Sequence, residues 1–165
     1  MKTFIKPMLV AIIMGLAANA MAVQKDITVT ANVDATLDLT TETGAVLPST
    51  LTMGYMPGTG LQPVTQQTKI FTNDAAKDIK ISLAGTAQLT DTVGAQPAVP
   101  LNVKFGNSVL TTAPVTVAAA TLFPNGDSIN GSIIQPLVIS QATQAVLPSA
   151  NYSGIVSIVL TQATE

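Results

Sequence analysis

Hydrophobic and polar positions alternate strictly from Ile27 to Leu39, within the stretch VQKDITVTANVDATLDL that begins at Val23. Ile27, Val29, Ala31, Val33, Ala35, Leu37 and Leu39 are apolar, whereas Thr28, Thr30, Asn32, Asp34, Thr36 and Asp38 are polar. A period of two places every apolar side chain on one face of a β-strand. The run holds 13 residues, against about 5–6 in a mean strand. Fully extended it would reach roughly 43 Å at about 3.3 Å per residue. A small sandwich uses roughly half of that in one strand. The run therefore predicts either an extension followed by the domain's first strand, or one long first strand folded on its own domain. An extension with one apolar face is suited to completing another molecule's sheet by strand addition.

The remainder reads as many short strands. Thr and Val dominate, and their branched Cβ atoms suit a pleated sheet. Predicted strands fall at 51–56, 64–72, 78–84, 101–105, 109–111, 114–117, 133–140 and 152–161. Turn chemistry separates them at Pro57-Gly58, Asn73-Asp74, Gly106-Asn107, Asn125-Gly126-Asp127 and Asn130-Gly131. The segment VTVAAATL, residues 115–122, is the nearest approach to helical patterning and is expected to give one or two turns. The pattern argues for one all-β sandwich domain.

Two further segments stand out. AVLPST at 45–50 recurs as AVLPSA at 145–150. Five identical residues are too few for a repeat fold, and both copies read as turns entering a strand, where Pro stops pairing. Near the C-terminus, NYSGIVSIVLT (151–161) places Ile155, Val156, Ile158, Val159 and Leu160 on both faces of a strand. That is the signature of a central strand buried on each side. Only four residues follow it here, so one neighbour is expected to come from elsewhere. The N-terminal strand of a second copy would provide one, and head-to-tail copies that do not close on themselves form a filament.

The start of the chain reads as a secretory signal. Lys2 and Lys6 precede an apolar run from Met8 to Ala18, and Ala20-Met21-Ala22 has the small-x-small form of a cleavage site. Ala18 and Ala20 also offer cleavage points, and cleavage between Ala22 and Val23 is the one expected. The apolar run, about 11 residues, is too short to span a bilayer. No later stretch reaches 18 apolar residues, so the mature chain is expected to have no stable membrane insertion.

Composition removes whole classes of chemistry. The 165-residue chain has no Cys, His, Trp or Arg, and charged residues make up 10%, against about 25% in ordinary domains. Haem, iron–sulfur and zinc-finger sites, thiol nucleophiles and Ser-His-Asp triads are excluded. The formal charge is −2, and −4 after the signal is removed, with five Lys against nine acids. Without Arg, that leaves no nucleic-acid footprint. The carboxylate pairs Asp34/Asp38 and Asp74/Asp78 read as solvated charge rather than glycosidase acids. The 125–131 loop lacks the pattern of a calcium hand. We therefore expect no enzyme, no catalytic residue, no metal and no cofactor.

The ordered set VQKDITVTANVDATLDL, GAVLPSTLTMGYMPG, TKIFTNDAAKDIKISLAGTAQLTD and NYSGIVSIVLT resembles class 5 fimbrial major pilins. That family includes the colonisation factor antigen I pilin, and the likeness is most of all to the cable pilin of the Burkholderia cepacia group. The resemblance covers nearly the whole mature chain and is weakest between about 107 and 133. It implies an incomplete immunoglobulin-like sandwich, residues 36–165, completed by a donor strand from a neighbouring subunit. It implies a fimbrial subunit exported through the periplasm by a chaperone, assembled at an outer-membrane usher, and joined to a tip adhesin in a surface fibre that supports adhesion to host surfaces. Carried onto this sequence, residues 23–35 are the donor extension, with Ile27, Val29, Ala31 and Val33 facing the groove. Tyr152, Ile155, Val156, Ile158, Val159 and Leu160 form the acceptor strand. Family members carry Pro after the donor segment in a VDP triplet, where this chain has Val33-Asp34-Ala35. That departure bears on the stiffness of the hinge, not on strand exchange. The rival expectation is a secreted monomeric β-sandwich that recognises a carbohydrate.

Overall fold

The structure, a computed structural model, describes residues 37–163. The signal segment, the Ala22–Val23 cleavage site and the donor positions Ile27, Val29, Ala31 and Val33 lie outside the described residues. In chain order the elements are β1 (Leu37–Thr41), β2 (Tyr55–Met56), β3 (Gly60–Leu61), β4 (Val64–Thr72), β5 (Ile79–Leu83), β6 (Gln88–Asp91), β7 (Val99–Phe105), β8 (Ser108–Leu110), β9 (Val115–Val117), α1 (Ala119–Leu122), β10 (Gln135–Gln141), β11 (Tyr152–Ser153) and β12 (Ile158–Gln162).

The strands form two facing antiparallel sheets. The larger runs β1-β4-β10-β7-β6-β11, with β8 also on β7; the smaller is β12-β5-β9. A separate β2-β3 hairpin lies beside them. It turns at Pro57-Gly58, where the Thr59 N–H donates to the Met56 carbonyl at 3.1 Å. Gly58 supplies the positive φ of 79° that a type II turn requires at its third position.

Alternation builds the core. In β5, Ile79, Ile81 and Leu83 point inward while Lys80 and Ser82 point away. Ile70 of β4, Val103 and Phe105 of β7, and Leu137 and Ile139 of β10 meet them from the larger sheet. Leu122 and Phe123, at the end of α1, join the same cluster. Full burial of each large aliphatic side chain contributes about 1.5–3 kcal/mol. Buried polar groups are paired: the Thr68 hydroxyl donates to the Gln135 carbonyl at 2.7 Å, and Ser132 Oγ accepts the Ile70 N–H at 2.9 Å.

Asp91 organises the end of β6. Its Oδ1 accepts the Val93 N–H at 3.1 Å, and its Oδ2 accepts the N–H groups of Ala95 at 3.0 Å and Gln96 at 3.2 Å. Asp91→Ala would leave three loop donors without this partner and is expected to cost about 2 kcal/mol. Chemical denaturation checks the stability loss, and hydrogen exchange should show faster exchange confined to residues 92–96.

Several elements depart from the sequence pattern. Of the predicted strand 51–56, only Tyr55–Met56 pairs; Leu51 and Met53 instead pack unpaired against the core. The helical segment 115–122 divides, because Val115–Val117 pairs with β5 as β9 and only Ala119–Leu122 turns. The predicted strand 152–161 is two strands in different sheets. Tyr152 and Ser153 pair with Asp91 and Thr90 in the larger sheet, whereas Ile158–Gln162 pairs with β5 in the smaller. The chain crosses between sheets over residues 154–157. Gly154 lies so close to β6 that a Cβ would collide with the Gln88 carbonyl oxygen.

Candidate functional site

Among the described residues, β12 has one paired neighbour, β5, and its other edge carries no strand. Among the described residues β12 is thus an edge strand, one neighbour short of the central position its sequence suggests: Ile158 and Leu160 are half-buried, while Val159 is 41% exposed. Its apolar character on both faces reflects an edge strand beside an open groove.

Two neighbouring chambers that share lining residues make up that groove. The smaller, about 540 Å³, lies between Leu37, Asp38 and Leu39 of β1 and Val156, Ile158, Val159 and Leu160, with Leu47 between them. The larger, about 990 Å³, is floored by Val64, Leu89, Leu101, Leu137 and Ile139 of the larger sheet. Leu47–Met53 and Leu147–Ser153 form parts of its rim. Leu47, Val156 and Ile158 line both chambers and so stand between them. Half-buried Leu37, Leu39, Leu51, Met53, Leu101, Val156, Ile158 and Leu160 all touch the core cluster, so the hydrophobic core opens into this groove.

Each rim is fixed by its own chain. Thr40 of β1 bridges Val46 antiparallel on the side away from β4, where it pairs with Lys69. The return is held by the Thr41 N–H to the Ala45 carbonyl at 2.8 Å and by the Ala45 N–H to the Thr41 hydroxyl at 3.1 Å. Gly44, at φ 81°, makes the reversal. The opposite rim is held by Gln141 Nε2 donating to the Ala145 carbonyl at 3.1 Å, and by the Tyr152 hydroxyl donating to the Pro148 carbonyl at 3.3 Å. The two AVLPS copies, far apart in sequence, thus frame one groove.

Of the sequence-predicted acceptor residues, Val156, Ile158, Val159 and Leu160 line the smaller chamber, and Tyr152, Ile155, Val156 and Ile158 the larger. Ile155 itself remains 84% exposed. The sequence reading missed Leu37, Leu39 and Leu47 and the floor residues, which belong to strands distant in sequence. The repeated AVLPS, which reads in the sequence as two turns, is the signal that could have pointed to the rims. Asp74 and Asp78 serve local structure: Asp74 accepts the Ala76 N–H at 3.1 Å and Asp78 the Ala119 N–H at 2.8 Å. Asp127, in the loop weighed for calcium, accepts the Ile129 N–H at 2.8 Å and the Asn130 side-chain amide at 3.1 Å.

A two-sheet antiparallel sandwich whose core opens along an unpaired strand edge defines the class: an all-β subunit with room for one more strand. The chain belongs to the family of CS1 type fimbrial major subunits, whose family model matches residues 23–161. It is 41% identical over 153 residues to a CFA/I fimbrial subunit of Escherichia coli, covering 90% of each chain. It is 32% identical over 151 residues to a CS1 fimbrial subunit of Escherichia coli, covering 88% of each. The solved CooA pilin subunit from enterotoxigenic Escherichia coli superposes with a TM-score of 0.70 at 28% identity, over 79% of this chain and 89% of that one. The protein is a major structural subunit of a surface fimbria, and the sandwich is of the immunoglobulin-like kind. Its family forms filaments by self-polymerisation. No helix among the described residues is long and apolar enough to cross a membrane.

Proposed function

We propose that the groove receives the N-terminal strand of a neighbouring copy, residues 23–35, so that subunits join head to tail by non-covalent donor-strand exchange. The observation that carries this reading is the β12 edge, which no strand among the described residues covers, above an open apolar core. Length supports it. The nine residues from Ile27 to Ala35 would extend about 30 Å at roughly 3.3 Å per residue, more than enough to run along the five-residue edge of β12. Chemistry supports it too, since Ile27, Val29, Ala31 and Val33 match a groove lined by Leu, Ile and Val. Their burial would contribute on the order of 6–8 kcal/mol as an upper estimate, and each pairing hydrogen bond roughly 0.5–1.5 kcal/mol more. Because donor and acceptor surfaces differ, the contact is head to tail, and copies that do not close into a ring grow into a filament.

The subunit's role is structural rather than catalytic. A free strand edge over an open core is an aggregation hazard that proteins cover. A periplasmic chaperone would cover it before assembly, an outer-membrane usher would direct the exchange, and a tip adhesin would terminate the fibre. The family match begins at Val23, which supports cleavage after Ala22. A carbohydrate-binding role is not favoured, since the groove is floored by aliphatic side chains and offers only Tyr55 and Tyr152 as aromatic platforms.

Gel electrophoresis in SDS of surface-sheared protein tests the reading. Unheated samples should show a series of multimers that collapses to monomer on heating, and a chain beginning at Thr36 should show monomer alone. Monomer bands from both would reject donor-strand exchange.

A further inference from the structure

We propose that Met53 is an oxidation site of the unassembled subunit: a peroxide that converts its thioether to the sulfoxide closes the groove to the incoming strand, and a strand already seated shields it. The proposal rests on the groove receiving that strand. Thiols and thioethers are the side chains that mild oxidants convert. The chain has no Cys, and residues 23–165 hold two methionines, Met53 and Met56. The oxidation chemistry of the mature chain therefore reduces to two sulfur atoms three residues apart.

The fold places these two sulfurs differently. Met53 is half-buried, lines the larger chamber and packs against the core cluster. It belongs to a strap in which Leu51 and Met53 are half-buried while Thr52 and Gly54 are exposed. The Gln62 N–H donates to the Gly54 carbonyl at 2.7 Å, which fastens the strap directly after Met53. Met56, in β2, is 50% exposed and lines neither chamber. A strand seated in the groove would cover Met53 and leave Met56 in water.

In the oxidation step the Met53 sulfur lone pair attacks one peroxide oxygen. The O–O bond breaks, and that oxygen remains on sulfur as the sulfoxide. The other oxygen leaves as water with both peroxide protons, so sulfur loses two electrons and the peroxide gains them. A flexible apolar side chain becomes a polar, chiral one. Burying its oxygen beneath the donor's apolar face without a hydrogen-bond partner is unfavourable. Turning it out to water instead would leave a cavity under the strand.

Hydrogen peroxide is the probe, applied to the mature chain refolded as monomer and, separately, to assembled multimers. Peptide mass spectrometry with fragmentation counts the sulfoxide at each methionine. Met56 should oxidise equally in both states, and Met53 at least tenfold more slowly in multimers than in monomer. Oxidised monomer should give at least tenfold fewer heat-sensitive multimers, and the two methionine sulfoxide reductases, one for each epimer, should restore the yield. Met53→Leu, a swap of similar volume, should assemble normally and resist peroxide, whereas Met56→Leu should remain sensitive. Equal Met53 rates in the two states would overturn the proposal, as would normal assembly of monomer oxidised at Met53 or a Met53→Leu chain that peroxide still blocks. If Met53→Leu does not fold, the two rates and the Met56→Leu chain decide alone. Failure of the untreated, unsubstituted chain to form multimers would instead remove the strand-exchange reading itself.

Discussion

Val29→Glu is expected to abolish the heat-sensitive multimers while leaving the monomer band intact. The substitution would carry a carboxylate onto the strand face that meets the groove. The only acidic side chain among the residues lining either chamber is Asp38, and no Lys lines them. The introduced carboxylate would therefore find no opposite charge, and burying an unpaired ion costs several kcal/mol. At about 1.4 kcal/mol per factor of ten, a loss of about 4 kcal/mol lowers occupancy of the joint roughly a thousandfold. Thr28→Glu supplies the control, because it adds the same charge to the polar face and should polymerise normally. Electron microscopy and unheated SDS gels of both variants make the comparison. Normal fibres from Val29→Glu would show that position 29 does not face the groove.

The second large effect belongs to the domain itself. Gly154→Val should destabilise the mature protein by about 3 kcal/mol through overpacking, lowering Tm by roughly 10 °C. The backbone at Gly154 lies against Gln88, and added side-chain atoms would collide with that carbonyl and with the Leu89 backbone. To relieve the collision the chain would have to leave β6, giving up the pairing of Tyr152 with Asp91 and Ser153 with Thr90. Gly85→Ala, where an added Cβ meets nothing within 4 Å, is the mild comparison. A Tm change under about 2 °C for Gly154→Val would mean that the crossing between sheets does not depend on that close approach.

The sequence made the sandwich legible wherever one strand face is buried and the other wet. Ile79, Ile81 and Leu83 announce β5 through period two alone. It was less informative where partner choice decides structure. β6, with the sequence QLTD, has a single apolar residue, and it is a strand because β7 and β11 flank it. The run 151–161 is uniformly strand-like in composition, yet it divides because Asp91 and Leu83 recruit its two halves into different sheets. The same limit applies to the groove. Val156, Ile158 and Leu160 stand out as an apolar cluster, whereas Leu47, Leu101 and Leu137 become neighbours only once the sheets face each other. The two AVLPS segments look like incidental turns in the sequence. Only the antiparallel bridge at Thr40 and the side-chain bonds from Gln141 and Tyr152 reveal that they are the two rims.

The free edge of β12 also has a mechanical consequence. A donor strand seated, as proposed, along Ile158–Gln162 would be drawn along its own length if the subunit it belongs to were pulled away end to end. Tension then loads the joint in shear, so its hydrogen bonds share the force and must yield nearly together rather than open one at a time. Rupture under force is governed by the rate of unfolding rather than by equilibrium affinity. A fibre of such joints would be limited in tensile strength by whichever escapes faster, the strand from its groove or the sandwich from its fold.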